Sequence, residues 1–66
     1  MDETLKNEIA ACEHYGYQFI EHSDCYILKY ANKRTIAKLY NHSRELAYDV
    51  MVDMAVIDYR RQRESA

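Results

Sequence analysis

The chain has 66 residues, of which 48% are hydrophobic and 30% are charged, and its formal net charge is −2. This composition excludes an intrinsically disordered protein, and the length predicts one small domain over residues 1–66. No stretch approaches the roughly 20 apolar residues that a membrane-spanning helix needs. With two cysteines and no apolar N-terminal run, we expect a cytoplasmic protein without a disulfide framework.

Charge is distributed unevenly along the chain. Residues 2–24 sum to −5, residues 26–44 contain five basic and no acidic side chains, and residues 45–66 sum to −2. A region of one charge sign attracts partners of the opposite sign. The basic middle third is therefore the first indication of function.

Residues 3–15 are predicted to form the first helix. Leu5, Ile9 and Cys12 recur at the spacing i, i+4, i+7, which is typical of a helix with one apolar side. The only glycine, Gly16, follows this pattern directly, where a left-handed residue commonly ends a helix.

Residues 17–30 are predicted to form a β-hairpin with Ser23 and Asp24 as its loop. The predicted cross-strand pairs are Glu21–Tyr26, Ile20–Ile27, Phe19–Leu28, Gln18–Lys29 and Tyr17–Tyr30. One face then carries Tyr17, Phe19, Tyr26, Leu28 and Tyr30, and the other carries Ile20 and Ile27 among polar groups. Ser-Asp is a weaker turn signal than Asn-Gly, so a longer loop with a shifted register stays open.

Residues 35–40 fit two patterns. As a helix, Ile36, Leu39 and Tyr40 continue an apolar stripe of the helix that follows. As a third strand, the same residues alternate between two faces. We predict a helix that is broken within residues 41–43, where Asn or Ser can cap a new start. The predicted fold class is α+β, with a helix, a hairpin and a long C-terminal helix.

Residues 43–62 give the clearest helical pattern, with two apolar stripes on nearly opposite sides. The first stripe comprises Leu46, Val50, Met54 and Ile57, and the second comprises Tyr48, Val52, Ala55 and Tyr59. We assign the first stripe to the core and the second to the seam of a homodimer, because a helix that is apolar almost all round is buried on both sides. Two alternatives stay open: the second stripe docks onto a target, or its tyrosines lie half exposed with their hydroxyls in water.

The potential metal ligands and nucleophiles match no established motif. His22, Asp24 and Cys25 lie together at the hairpin loop, but a structural zinc site needs four ligands in paired spacings. Pairing Cys25 with His22, or Cys12 with His42, gives no catalytic site without an oxyanion hole and a substrate cleft. We therefore expect no enzymatic activity, no metal and no cofactor.

The basic segment 26–44 supplies the predicted partner-binding residues, which are Lys29, Lys33, Arg34, Lys38 and Tyr40. We expect a small non-catalytic protein that binds a larger protein or nucleoprotein stoichiometrically, such as an inhibitor or regulator from a phage or mobile element. The alternative is a nucleic-acid-binding regulator whose cations contact phosphates while its tyrosines stack on bases. The sequence pI of 5.8 argues against this alternative.

Overall fold

The computed structural model describes residues 1–65 and has two layers, a pair of helices packed on one three-stranded sheet. In chain order the elements are α1 (Glu3–His14), β1 (Tyr17–Glu21), β2 (Cys25–Tyr30), β3 (Arg34–Tyr40) and α2 (Arg44–Ser65). The sheet is antiparallel with the strand order β1-β2-β3. The predicted α+β class is confirmed. Within the described chain, no helix is long and apolar enough to cross a membrane.

Local signals at both ends of α1 explain where it begins and ends. Asp2 caps the N-terminus, and its Oδ1 accepts a hydrogen bond from the Leu5 N–H at 2.8 Å. After the helix, Gly16 adopts a φ of +99° and donates its N–H to the Glu13 carbonyl oxygen at 3.0 Å. The predicted role of Gly16 in ending the helix is confirmed, since this φ is unfavourable for residues with a Cβ.

The hairpin register predicted from the sequence is confirmed in all five pairs, from Tyr17–Tyr30 to Glu21–Tyr26. The His22 N–H donates to the Cys25 carbonyl oxygen at 2.9 Å and closes the loop. The predicted apolar face is the inner one. Its core members are Tyr17 and Leu28, against which Phe19, Tyr26 and Tyr30 are partly buried.

The prediction of a helix over residues 35–40 is wrong, because the segment forms strand β3 beside β2. The loop before it places both Ala31 and Asn32 at positive φ, and the Lys33 N–H donates to the Tyr30 carbonyl oxygen at 3.0 Å. A bulge then leaves Ile36 without a partner on β2. Ile36 and the next residue both pack against the core, which interrupts the alternation that would have identified a strand.

Helix α2 begins after a short loop at residues 41–43, where a break was predicted. The Ser43 Oγ accepts a hydrogen bond from the Leu46 N–H at 3.3 Å, so Ser43 acts as the cap. Asn41, the other predicted cap, instead adopts a left-handed φ of 59° in this loop. The loop lets the chain reverse from β3 to the helix layer.

The assignment of the two stripes on α2 is wrong. The buried residues of this helix are Ala47, Tyr48, Met51, Val52 and Ala55, with Tyr59 partly buried beside them. Leu46 and Ile57, which were expected in the core, are 51% and 48% exposed, and of the first stripe only Met54 packs against the core cluster. The Tyr48 ring stacks on Phe19 at 5.9 Å between centroids, and the alanines let the helix approach the sheet closely. The stripe assigned to a homodimer seam therefore lies in the chain's own core.

Candidate binding surface on the open face of the sheet

Both helices pack on one face of the sheet, and the reverse face faces outward. We call this surface the open face. Alternation along the strands and the observed register place eight side chains on it, which are Gln18, Ile20, Cys25, Ile27, Lys29, Thr35, Lys38 and Tyr40. None of the eight belongs to the core cluster or to the residues packed against it, and only Cys25 among them is buried. The open face is thus a second surface, separate from the core.

The open face has an apolar centre and a basic side. Ile27 lies at the middle of β2, directly between Ile20 on β1 and Lys38 on β3. Lys29 follows two residues along β2, and the ring of Tyr40 is 51% exposed at the other end of the face. The eight side chains include two lysines and no carboxylate, so the surface is positively charged.

The predicted partner-binding residues separate into two groups. Lys29, Lys38 and Tyr40 share the open face, and Lys33 is exposed in the adjoining β2–β3 loop. Arg34 lies elsewhere, because its Nη1 and Nη2 each donate to one carboxylate oxygen of Asp58 at 2.9 Å. The structure therefore places three of the five on the open face and Lys33 in a loop at its edge, and it pairs the half-exposed Arg34 with Asp58.

Asp58 is the centre of a hydrogen-bonded cluster that joins three elements. Besides Arg34 from β3, it accepts hydrogen bonds from the Tyr17 hydroxyl of β1 and the Gln62 amide of α2, each at 2.7 Å. The Arg34 hydrogen bonds, with those of Tyr17 and Gln62, hold the pKa of Asp58 well below its ordinary 3.8. Burial, with the bond to Asp58, raises the pKa of Tyr17. At neutral pH the Asp58 carboxylate is therefore charged and the Tyr17 hydroxyl is protonated. Their hydrogen bonds hold β1, β3 and α2 together, and we call this cluster a clamp.

A second clamp fixes the other end of α2. The Glu21 Oε1 accepts hydrogen bonds from the Tyr48 hydroxyl at 2.8 Å and from the Arg44 Nε at 2.7 Å. These bonds lower the pKa of Glu21, that from Tyr48 most strongly, and burial together with the bond to Glu21 raises the pKa of Tyr48 to about 12. The two clamps hold α2 against the inner face, so the open face is presented by a fixed sheet.

The two cysteines are buried and protonated at neutral pH. Burial raises the pKa of the Cys12 thiol, assisted by nearby Glu8, and burial beside Asp24 raises the pKa of Cys25. A cysteine acts as a nucleophile or binds a metal as the thiolate, so nucleophilic attack and metal binding are both disfavoured for these protonated thiols. Across residues 1–65, no three side chains of His, Cys, Asp or Glu are grouped so that they could hold a metal ion.

Sequence reasoning missed the two clamp carboxylates. Asp58 was not singled out, and Glu21 was predicted only as the partner of Tyr26 in the hairpin. At about 100° per residue, Asp58 falls on the same side of α2 as Met51 and Ala55. Once that side is known to be buried, an acidic residue on it must have a partner, which is the signal that could have identified it.

Comparison with known proteins gives no match: no family model, no curated protein and no solved structure is significantly similar to this chain. The geometry and charge of the surfaces described above are therefore the basis on which a function is proposed.

Proposed function

We propose that this protein is a small non-catalytic binding protein that covers an acidic surface of a larger protein with its open face. The observation that carries the proposal is the composition of that face. Ile20 and Ile27 lie outside the core cluster and are half-buried, beside the half-exposed side chain of Tyr40 and two lysines. A second apolar surface with cations at its side is typical of a surface that a partner covers.

The proposed mode of action is stoichiometric occupation of the partner's surface. The cysteine thiols are protonated, and the two perturbed carboxylates each accept hydrogen bonds from an arginine and a tyrosine within the fold. The thiols stay protonated and the carboxylates stay ionised at neutral pH, so none of these groups is suited to exchange a proton with a substrate. Such binding suits an inhibitor or regulator, and an origin in a phage or mobile element stays a prediction.

Site-specific photo-crosslinking tests the proposal. A photoreactive phenylalanine analogue is placed at Tyr40, and in a matched control at Tyr15, which is 55% exposed at the end of α1. In extracts of the cells that contain the protein, we expect one discrete adduct from position 40 and none from position 15. Equal adducts from both positions would contradict binding through the open face.

Two charge-reversal double variants test whether the lysines of the open face are needed for the adduct. Lys29→Glu with Lys38→Glu should abolish the adduct, because two carboxylates would then face an acidic partner. The matched control is Lys6→Glu with Arg60→Glu, which makes the same change in net charge at exposed positions of the helix layer. If both double variants lose the adduct equally, binding depends on the net charge of the protein and not on the open face.

Binding to single-stranded nucleic acid is the second candidate function. It is favoured by one observation, the exposed ring of Tyr40 on the same strand and face as Lys38. Fluorescence anisotropy with a labelled oligonucleotide tests it. Affinity should fall steeply with salt, and Tyr40→Ala should weaken binding by about 1–3 kcal/mol, the usual contribution of a stacked base. Absence of binding at low salt would eliminate this candidate.

A further inference from the structure

The side of α2 that faces away from the sheet carries an apolar stripe with acidic neighbours. We call this surface the outer stripe and define it by Leu46, Val50, Ile57, Asp49 and Asp53. Leu46 and Ile57 are about half exposed, Val50 is half-buried, and both aspartates are exposed. Between residues 45 and 59 the exposed acidic residues are Glu45, Asp49 and Asp53, and the interval contains no lysine or arginine. The outer stripe is therefore apolar and negatively charged.

The outer stripe and the open face are complementary in charge and alike in apolar character. One presents Asp49 and Asp53 beside aliphatic side chains, and the other presents Lys29 and Lys38 beside Ile27. We propose that the open face of one copy of this chain receives the outer stripe of a second copy. Among residues 1–65, no other helix or strand of the same molecule packs on either surface, and the lysines of one surface can pair with the aspartates of the other.

The dimensions of the two surfaces match. The outer stripe runs over 12 residues from Leu46 to Ile57, and the 11 rises of 1.5 Å between them give a length of about 17 Å. A strand of five residues such as β1 also spans about 17 Å, and three strands are about 14 Å wide, enough for one helix of about 10 Å. One helix of a second copy therefore covers the face along its whole length.

The contact is weak, because its area is small. About 14 Å by 17 Å gives an area on the order of 250 Å² on each copy, well below the roughly 800 Å² per partner of a stable complex. Two close charge pairs then contribute a large share of the attraction. Association should consequently appear at high protein concentration and low salt.

The two surfaces lie on opposite sides of the molecule, so the contact is heterologous. Met51 and Ala55 bury the inner side of α2 against the sheet, and the outer stripe is on the reverse side of the same helix. Opposed heterologous surfaces generate an open series of copies and no closed pair. This differs from the homodimer predicted from the sequence in both its residues and its symmetry. It also covers the open face, so self-association and partner binding exclude each other.

Light scattering measures whether the chain self-associates. At about 1 mM protein, the range in which so small a contact forms, we expect the mean mass to exceed twice 7.9 kDa and to rise further with concentration. The salt should be about 10 mM, where the Debye length is about 30 Å, and about 1 M salt should return the mass to the monomer. A mass of 7.9 kDa under all conditions overturns the proposal, as does a mass that stops at the dimer.

Charge exchange between two variants identifies the surfaces. Lys29→Glu with Lys38→Glu, and separately Asp49→Lys with Asp53→Lys, should each give a monomer. Mixed in equal amounts they should associate again, because each surface of one variant then meets an oppositely charged surface of the other. Both variants must show the wild-type circular dichroism spectrum, and Lys6→Glu with Arg63→Glu is the control that should still associate. A mixture that stays monomeric contradicts the proposal.

The self-association experiments and the crosslinking experiment can fail independently of each other. If the partner adduct from position 40 is absent but mixing restores association, the open face serves self-association and the partner proposal fails. If the adduct forms and the wild type stays monomeric at high concentration, the partner proposal holds and self-association is wrong.

Discussion

Replacing Asp58 with alanine should destabilise the fold by about 2 kcal/mol. The reason is the Tyr17 hydroxyl, which donates to Asp58 from a side chain that is only 2% exposed. Without the carboxylate this donor lacks its acceptor, and an unsatisfied buried group costs about 1–3 kcal/mol. At 0.05–0.15 kcal/mol per residue the whole chain has roughly 3–10 kcal/mol of stability, so the loss is a large fraction of it.

Thermal unfolding followed by circular dichroism measures this loss. For a domain of this size each kcal/mol corresponds to about 4–8 °C, so Tm should fall by roughly 8–16 °C. Asp53→Ala is the matched control, since it removes an exposed carboxylate from the same helix and should change stability by less than about 0.5 kcal/mol. Equal effects of the two substitutions would refute the clamp.

A double-mutant cycle separates the orphaned hydroxyl from general disruption. Tyr17→Phe should cost only about 1 kcal/mol, because Asp58 keeps its hydrogen bonds from Arg34 and Gln62. In the Tyr17→Phe background, Asp58→Ala should then cost less than in the wild type, because no buried hydroxyl remains to be orphaned. Strictly additive effects would show that the hydrogen bond between the two residues is not what stabilises the fold.

The pH dependence of stability gives an independent measure of the same residue. The folded-state pKa of Asp58 lies below its ordinary 3.8, so the unfolded state takes up the proton first as the pH falls. The contribution of Asp58 is therefore complete above pH 3.8 and is lost progressively below it. Asp58→Ala should flatten the decline of Tm in this acidic range, and an unchanged slope would refute the assignment.

Three further predictions concern other parts of the fold. Gly16→Ala should lower stability by about 1–2 kcal/mol, because a φ of +99° is strained for alanine and its Cβ would lie 3.3 Å from the Tyr30 ring; an unchanged Tm would contradict this. Lys33→Glu should leave Tm unchanged, whereas Arg34→Glu should lower it by placing a carboxylate opposite Asp58; equal Tm values would show the ion pair to be unimportant. The far-UV circular dichroism spectrum should be the same with and without chelator and reductant, and a loss of helix would revive a metal or disulfide requirement.

The first half of the fold follows from signals that are local in sequence. The spacing of Leu5, Ile9 and Cys12 identifies α1, and Gly16 marks its end because few other residues adopt positive φ at low cost. The predicted hairpin register was correct: it combines a two-residue loop with a common face for Tyr17 and Leu28. A shift by one residue would have moved every apolar side chain to the wrong side.

The second half depends on tertiary contacts that periodicity does not contain. Residues 35–40 fitted both a helix and a strand, and the helix was preferred because two signals for β3 are weak: the bulge at Ile36 interrupts its burial pattern, and Ala31 before it adopts positive φ, which is uncommon for a residue other than glycine. On α2 both stripes are apolar enough to be buried. Contacts with the sheet decide which stripe is buried. The Tyr48 ring stacks on Phe19, and its hydroxyl donates a hydrogen bond to Glu21.

The same contacts turn the linear distribution of charge into two oppositely charged faces. The acidic flanks of the sequence become helices, and both helices pack on the inner face of the sheet. The basic middle third becomes β2 and β3, and it therefore presents Lys29 and Lys38 on the reverse side. Had the two stripes of α2 been exchanged, Tyr48 would face solvent and the outward side of the helix would lose Leu46 and Ile57 as an apolar surface. The burial of the tyrosine stripe thus sets which surfaces remain available: a basic open face and an acidic outer stripe, on opposite sides of a molecule whose net charge of −2 conceals both.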